Sequence, residues 1–266
     1  MKKGVNAWIY PSDYKYNKIL EASAQIGFEG VELNLDEKTL KLPKKERKTI
    51  SEKAASLGLE LPSLCSGLFW EFNLASPDQT IRAKGVDIIK KGCEFAADVG
   101  AKVLLVVPAV ATSELQYQQT WDLSKHGILE SVPAAKDYGV TIGVENVWNR
   151  FLYSPLEFRR FIEEINSPNV KAYFDVGNIH FLSFPEQWIR HLSGLIACVH
   201  VKDFHRPTRQ FKSLLEGDVP WPEVMRALRE TGYNGFLNVE LSPYPGHPLK
   251  SAMDSKAALD IILSMK

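Results

Sequence analysis

At 266 residues the chain is long for one ordinary small domain and short for two, on a prior of about 150 residues per domain that already excepts α/β barrels. Its 45% hydrophobic, 24% charged and 11% aromatic residues, with 17 glycines and 15 prolines spread along the chain, exclude disordered and fibrous classes. Thirty-two basic residues balance 32 acidic ones, so no whole-chain field gathers polyanions and nucleic acid is not expected as the main partner. Short β-rich apolar runs alternate with longer amphipathic stretches from end to end. Residues 5–9 read as a strand and residues 14–26 as a helix, with Ile19, Ala22 and Ile26 at helical spacing and Gly27 as the stop. A strand at 30–35, a Lys/Glu-rich helix at 44–57 and a strand at 59–64 follow. A long helix opens at Ser76-Pro77, with Ser76 as cap and Pro77 in the first turn, and ends at Gly100. Next come a strand at 102–107, a helix running to about 138, a strand at 140–145 and a helix entered through Ser154-Pro155 that ends near Asn166. Strands at 170–175, 196–201 and 236–241 then alternate with helices at 185–192, 220–231 and 251–265.

Eight strands and eight helices at about 33 residues per unit predict a parallel sheet closed into a (β/α)8 TIM barrel, a single catalytic domain over residues 1–266. An open doubly wound sheet is disfavoured, because no Gly-x-Gly-x-x-Gly turn follows the first strand. Cys65, Cys93 and Cys198 are widely spaced with no C-x-x-C pair, which fits a reducing compartment and neither a disulfide framework nor a thiolate zinc site. The first ten residues lack a signal-peptide run and no segment reaches about 18 apolar residues, so a cytoplasmic protein with no membrane partner is expected.

In such a barrel the chemistry sits at the C-terminal strand ends. Strand five ends at Glu145-Asn146, strand six at Asp175, strand seven at His200 and strand eight at Glu240. Period-two alternation puts Glu145 on the face of Gly143 and Thr141, His200 on that of Cys198, and Glu240 on that of Asn238, with Val144, Val199 and Val239 turned outward. Any one of these alone reads as a strand-end charge paired with a nearby Lys or Arg. Four at four successive strand ends converge on one cation, because an unpaired charge beside apolar strands costs several kcal/mol. Three carboxylates and a histidine make a mixed hard set suited to Mn²⁺, with Co²⁺ or Mg²⁺ as alternatives.

Gly30-Val-Glu32, Ser76-Pro77-Asp78, Val144-Glu-Asn146 with Asn149-Arg150, Phe174-Asp-Val-Gly-Asn178, Val199-His-Val-Lys-Asp203 and Val239-Glu240 carry a resemblance. On these motifs the chain resembles the xylose isomerase-like TIM-barrel superfamily, and within it the ketose 3-epimerases and sugar-phosphate epimerases, over essentially its whole length. The resemblance implies Glu145, Asp175, His200 and Glu240 as ligands of a divalent metal. Glu145 and Glu240 would double as the acid/base pair that inverts C3 of a ketose or ketose phosphate through a cis-enediolate. It also implies Arg206 as a substrate contact; a solvated loop arginine is the alternative. Two departures bear on the substrate. Asp175-x-x-Asn178 stands where epimerases of free ketoses show Asp-x-x-His, which places Asn178 at the substrate in the manner of the sugar-phosphate branch, and Leu152 stands where those enzymes place a substrate-binding Glu.

Other residues keep two readings. Glu32 lines the pocket or pairs with Lys and Arg under the mouth, and Trp8, Phe69 and Trp70 form an apolar wall for the sugar or fill the barrel top. Lys202 and Asp203 are expected to pair with each other and orient the strand-seven loop; Cys65 is expected to be a packed thiol, and His126, His191 and His247 to have no function. Arg206, Arg209 and Lys212 could meet a phosphate, although Gly217-Asp218 and residues 243–248 offer no glycine-rich cradle. An aldose-ketose isomerase or inosose-type dehydratase would use the same site. A DNA-repair enzyme like endonuclease IV would need a His-rich zinc cluster and a cationic face, against six histidines and zero net charge. A non-catalytic barrel is disfavoured by the full ligand quartet, and a homo-oligomer is left open.

Overall fold

The computed structural model describes residues 1–266. Its strands, in chain order, are β1 (Lys2–Asn6), β2 (Gly30–Leu35), β3 (Ser63–Ser66), β4 (Val103–Val106), β5 (Thr141–Glu145), β6 (Val170–Asp175), β7 (Ile196–Val201), β8 (Asp203–His205), β9 (Gln210–Lys212) and β10 (Phe236–Val239). The helices are α1 (Tyr16–Ile26), α2 (Lys44–Ser56), α3 (Gln79–Val99), α4 (Tyr117–Tyr138), α5 (Pro155–Ile165), α6 (Val176–Leu182), α7 (Pro185–His191), α8 (Trp221–Glu230) and α9 (Lys250–Ser264). Eight strands close a parallel barrel in the order β1-β10-β7-β6-β5-β4-β3-β2, and β8 and β9 form a separate antiparallel hairpin on its rim. The ring shuts where Lys2 to Val5 pair with Phe236 to Val239. The expected (β/α)8 barrel is therefore the fold.

Helix boundaries follow from local chemistry. In α5, Phe158, Phe161, Ile162 and Ile165 recur at helical spacing and are buried, giving one apolar stripe against the barrel. Ser154 caps its start by accepting from the Glu157 N–H at 3.2 Å, and Asn166 ends it in the left-handed region. Gly100 ends α3 at φ 87°, a conformation that a side chain would strain.

Four expected details change. The first strand is Lys2–Asn6, not residues 5–9: the Asn6 side chain accepts from the Trp8 N–H at 2.8 Å and turns residues Ala7–Ile9 into a 3-10 turn. Its two lysines belong to the strand because their long stems carry the charge out to Glu60 and Asp260. The third strand is Ser63–Ser66, not residues 59–64; only Glu60 bridges to Gly30 before Pro62, which lacks a ladder donor. At α3 the cap is Asp78, whose carboxylate accepts from the Thr80 N–H at 2.7 Å, while Ser76 builds the preceding turn by accepting from the Asp78 N–H. Finally, α6 and the β8–β9 hairpin were not anticipated, and both stand beside the site.

Candidate metal centre

Glu145 and Asp175 close β5 and β6, His200 is the next-to-last residue of β7, and Glu240 lies one residue past β10. The predicted quartet is brought together: one ligand atom from each lies within 4.8 Å of the others. Nδ1 of His200 faces Glu145 Oε1 at 3.6 Å, Glu240 Oε2 at 3.7 Å and Asp175 Oδ2 at 3.8 Å. Donors bound to one ion at about 2.2 Å stand roughly 3 to 4.4 Å apart, so these separations suit a single cation. His200 Nδ1 is buried without a hydrogen-bond partner although three carboxylates face it, an arrangement that costs free energy unless something fills the space between them. The donor set and the unpartnered His200 nitrogen both fit a hard divalent ion.

The other ring nitrogen of His200 is fixed by Glu32. Neither alternative expected for Glu32 describes it: the residue is fully buried and no lysine or arginine pairs with it. Its Oε2 accepts from Asn6 Nδ2 at 2.6 Å and meets His200 Nε2 at 2.5 Å, while its Oε1 accepts the hydroxyls of Tyr173 at 2.5 Å and Ser63 at 2.7 Å. Asn238 Nδ2 donates to both hydroxyl oxygens, at 2.8 and 3.1 Å, which turns their protons toward Glu32. Glu32 thus holds the histidine with Nδ1 aimed at the carboxylates, as a carboxylate behind a metal-binding histidine does.

Lys202 overturns its expected role. Its ammonium does not pair with Asp203; it lies 2.7 Å from Asp175 Oδ2 and also pairs with Glu240. The Asp203 carboxylate instead accepts from the backbone of Phe204, Leu215 and Val219 and from Trp221 Nε1, tying down the chain between the hairpin and α8. Gly177 permits this packing, for a Cβ there would sit 2.6 Å from Lys202 Cγ and 2.8 Å from its carbonyl oxygen. Asn146 locks the neighbouring strand end by donating to Asp175 O and accepting from the Asp175 N–H, both at 2.8 Å.

The sequence matches the xylose isomerase-like TIM-barrel family over residues 20–262. The chain belongs to that family. It is 28% identical to the L-ribulose-5-phosphate 3-epimerase UlaE of Salmonella typhi over 232 residues, 84% of this chain and 80% of the relative. Against the same-named protein of Salmonella heidelberg, identity is 27% over 248 residues, 90% of this chain and 86% of the relative. The fold superposes on a D-psicose 3-epimerase from Clostridium cellulolyticum H10 solved with D-tagatose, at a TM-score of 0.84 and 20% identity, covering 100% of this chain and 99% of the other. An L-ribulose 3-epimerase gives a TM-score of 0.83 at 22% identity, over 98% of this chain and 94% of the other.

In this xylose isomerase-like barrel the charges at the mouth are strongly unequal. Burial, with Glu240 adding repulsion, pushes the Glu145 carboxyl up to about 7 against the pull of His200. Burial acts the same way on Glu240, but Lys202 and His200 outweigh it and hold that carboxyl at about 2. Burial opposes the charge of His200, yet Glu32 and Glu240 raise its affinity for a proton well above the usual value.

The rim residues are placed less directly. The Arg206 guanidinium donates to the carbonyls of His180, at 2.6 Å, and Ser183, and the Arg206 backbone N–H donates to Asp218. Asp218 also bonds His180 Nε2 at 2.8 Å, so these residues fasten α6 to the hairpin. Asn178 Nδ2 donates to the Asn146 carbonyl at 3.0 Å. Trp8 is 42% exposed on the rim and lines an open cleft, whereas Phe69 is fully buried and Trp70 faces solvent. Trp148 and Phe211 stack at 4.8 Å beside Lys202, an aromatic pair with no signal along the chain, since it depends on the β8–β9 hairpin. Cys65 is buried, and burial raises its thiol well above the usual range, in line with a packed role.

Proposed function

We propose that the protein is a divalent-metal-dependent ketose 3-epimerase, with Glu145 and Glu240 as the acid/base pair. The observation that carries this reading is the placement of the two carboxylates. They stand on β5 and just past β10, with β6 and β7 between them in the ring, and both face His200 Nδ1 at nearly equal distance. A substrate carbon between them meets one carboxylate from each side. The ionised carboxylate takes the C3 proton on one face and the protonated one returns a proton on the other, so the configuration inverts without a redox partner. Running the reaction backwards exchanges the two roles.

Glu145, Asp175, His200 and Glu240 would hold the ion, for which Mn²⁺ is the first choice. When bound, it supplies polarisation of the C2 carbonyl and charge to offset what develops as C3 loses its proton. Asp175 and His200 serve as ligands only, His200 oriented by Glu32. Arg206, Asn178 and Trp8 are proposed at the substrate's periphery. The ketose 3-epimerase names of the sequence relatives support the same reaction class. Three free, buried cysteines support a reducing compartment such as the cytoplasm.

The test is incorporation of solvent deuterium at C3. With Mn²⁺ present the wild-type protein exchanges that hydrogen in a ketose and forms the C3 epimer. Glu145→Gln and Glu240→Gln abolish both while the thermal unfolding transition is kept; exchange retained in both variants refutes the mechanism.

A further inference from the structure

The acid cluster uses the β5–β10 side of the mouth. On the β1–β3 side lies a cleft of about 1010 Å³ that none of the four ligands lines. It begins on the same rim, since Trp8, Gly67 and Pro243 follow C-terminal strand ends and Asn34 is the next-to-last residue of β2, and it runs outward between α1 and α2. Only a short chain of hydrogen bonds separates it from the centre. The Trp8 N–H donates to Asn6, Asn6 donates to Glu32, and Glu32 holds His200.

Size and lining define what the cleft can take. Its volume is at the top of the roughly 300–1,000 Å³ that encloses a drug-sized ligand, more than the unreacting carbons of one ketose fill. Its walls alternate ring faces with neutral or acidic hydrogen-bonding groups. Trp8 is open to solvent, Tyr14 lines the cleft with one ring face covered by the Lys18 ammonium at 3.5 Å, Tyr10 is buried behind it, and Ser12, Asn34 and Thr39 provide polar atoms. Aromatic faces beside amide and hydroxyl groups suit a sugar ring, with its apolar C–H face and polar edge. Phosphate is mismatched, because the cleft's Lys15 is set against Asp36 and Glu46, the neighbouring Lys18 ammonium is engaged on the Tyr14 ring, and no glycine-rich turn offers backbone donors. Asp36 is fixed in place, its Oδ1 accepting from the N–H groups of Lys38 and Thr39.

We propose that this cleft is a subsite for an uncharged glycosyl group on the non-reacting end of the substrate, so that the enzyme acts on a glycosylated ketose in preference to a ketose phosphate. The proposal rests on the epimerase reading of the acid cluster and names the substrate class of that site. The L-ribulose-5-phosphate 3-epimerases that the chain resembles carry a charged end in their printed substrate, and this lining departs from what such an end needs.

The experiment compares isomaltulose, a 6-O-glucosyl ketohexose, with free fructose and ribulose 5-phosphate on the Mn²⁺-loaded wild-type protein. Binding is read by calorimetry and turnover by C3 deuterium exchange. Isomaltulose is expected to bind about tenfold or more tighter than fructose and to show a correspondingly higher kcat/KM. Tyr14→Ala is expected to bring the isomaltulose-to-fructose ratio close to one in both assays, and Tyr14→Phe to preserve it. Equal binding of the two sugars, tighter binding of the phosphate, or a ratio unchanged by Tyr14→Ala overturns the subsite. If fructose exchanges at C3 but isomaltulose gains nothing, the subsite alone fails and the epimerase reading stands. If isomaltulose binds tightly but no ketose exchanges, the epimerase reading fails and takes this substrate assignment with it.

Discussion

Glu32→Gln changes one oxygen to nitrogen at a fully buried position and is expected to weaken metal binding without touching a metal ligand. Each Glu32 oxygen faces two donors in the structure: the Tyr173 and Ser63 hydroxyls on Oε1, and Asn6 Nδ2 and the His200 ring on Oε2. Asn238 donates to both hydroxyls, and the two lie 3.1 Å apart, so one of them can give its proton to the other but not both at once. A glutamine must therefore turn its NH₂ toward at least one donor in either orientation. At about 1–3 kcal/mol for each buried donor left without an acceptor, the conflict costs roughly 1–6 kcal/mol, before counting the lost charge beside His200. Part of that cost falls on folding. The rest is relieved by letting the imidazole turn, which swings Nδ1 away from the three carboxylates and lowers metal affinity about 10–100-fold. Calorimetric titration with Mn²⁺ measures the second effect and urea unfolding in EDTA the first. A variant that folds with an unchanged Mn²⁺ dissociation constant would refute the view that Glu32 orients the ligand.

Two further predictions follow from the ion pairs. Lys202→Ala leaves Asp175 and Glu240 buried without their ammonium and is expected to cost about 3–5 kcal/mol in EDTA, the usual penalty for stranding one half of a buried pair. Saturating Mn²⁺ should recover much of that deficit by supplying positive charge to the same carboxylates; urea unfolding that shows the same deficit with and without the ion counts against a shared cation site. On the outer wall, Glu164 accepts from Lys125, Arg160 and Trp121 Nε1, and these hydrogen bonds hold its carboxyl at about 2. A carboxyl whose folded value lies below its unfolded value of about 4.3 stabilises fully above that pH and loses its contribution as pH falls through about 2. The stability gap between wild type and Glu164→Gln should therefore be constant from pH 7 to about 5 and close in stronger acid, as followed by thermal unfolding across pH; a pH-independent gap would contradict the assignment.

The strand rhythm and the ligand quartet were legible because both rest on local periodicity. A β-strand gives each residue a face, and Glu145, Asp175, His200 and Glu240 announce themselves as polar ends of apolar runs. Lys202 was equally available to that rule: it stands two residues after His200 and so shares its lumen face, while Asp203, the adjacent residue, points the other way. Pairing Lys202 with Asp203 ranked sequence proximity above strand geometry, and the structure shows geometry prevailing. Glu32 is a different case. Alternation puts it on the face of Gly30 and Asn34, toward the lumen, but its partners come from β1, β3, β6 and β7, and no period along one strand encodes which side chains meet across a closed ring. The first strand failed for a third reason, because apolar content located residues 5–9 while the ladder's extent was decided by Asn6 turning the chain and by lysine stems reaching outward. Sequence period thus assigns faces, whereas ring closure assigns partners, and the centre's ion pairs of Glu32 with His200 and of Lys202 with Asp175 are both of the second kind.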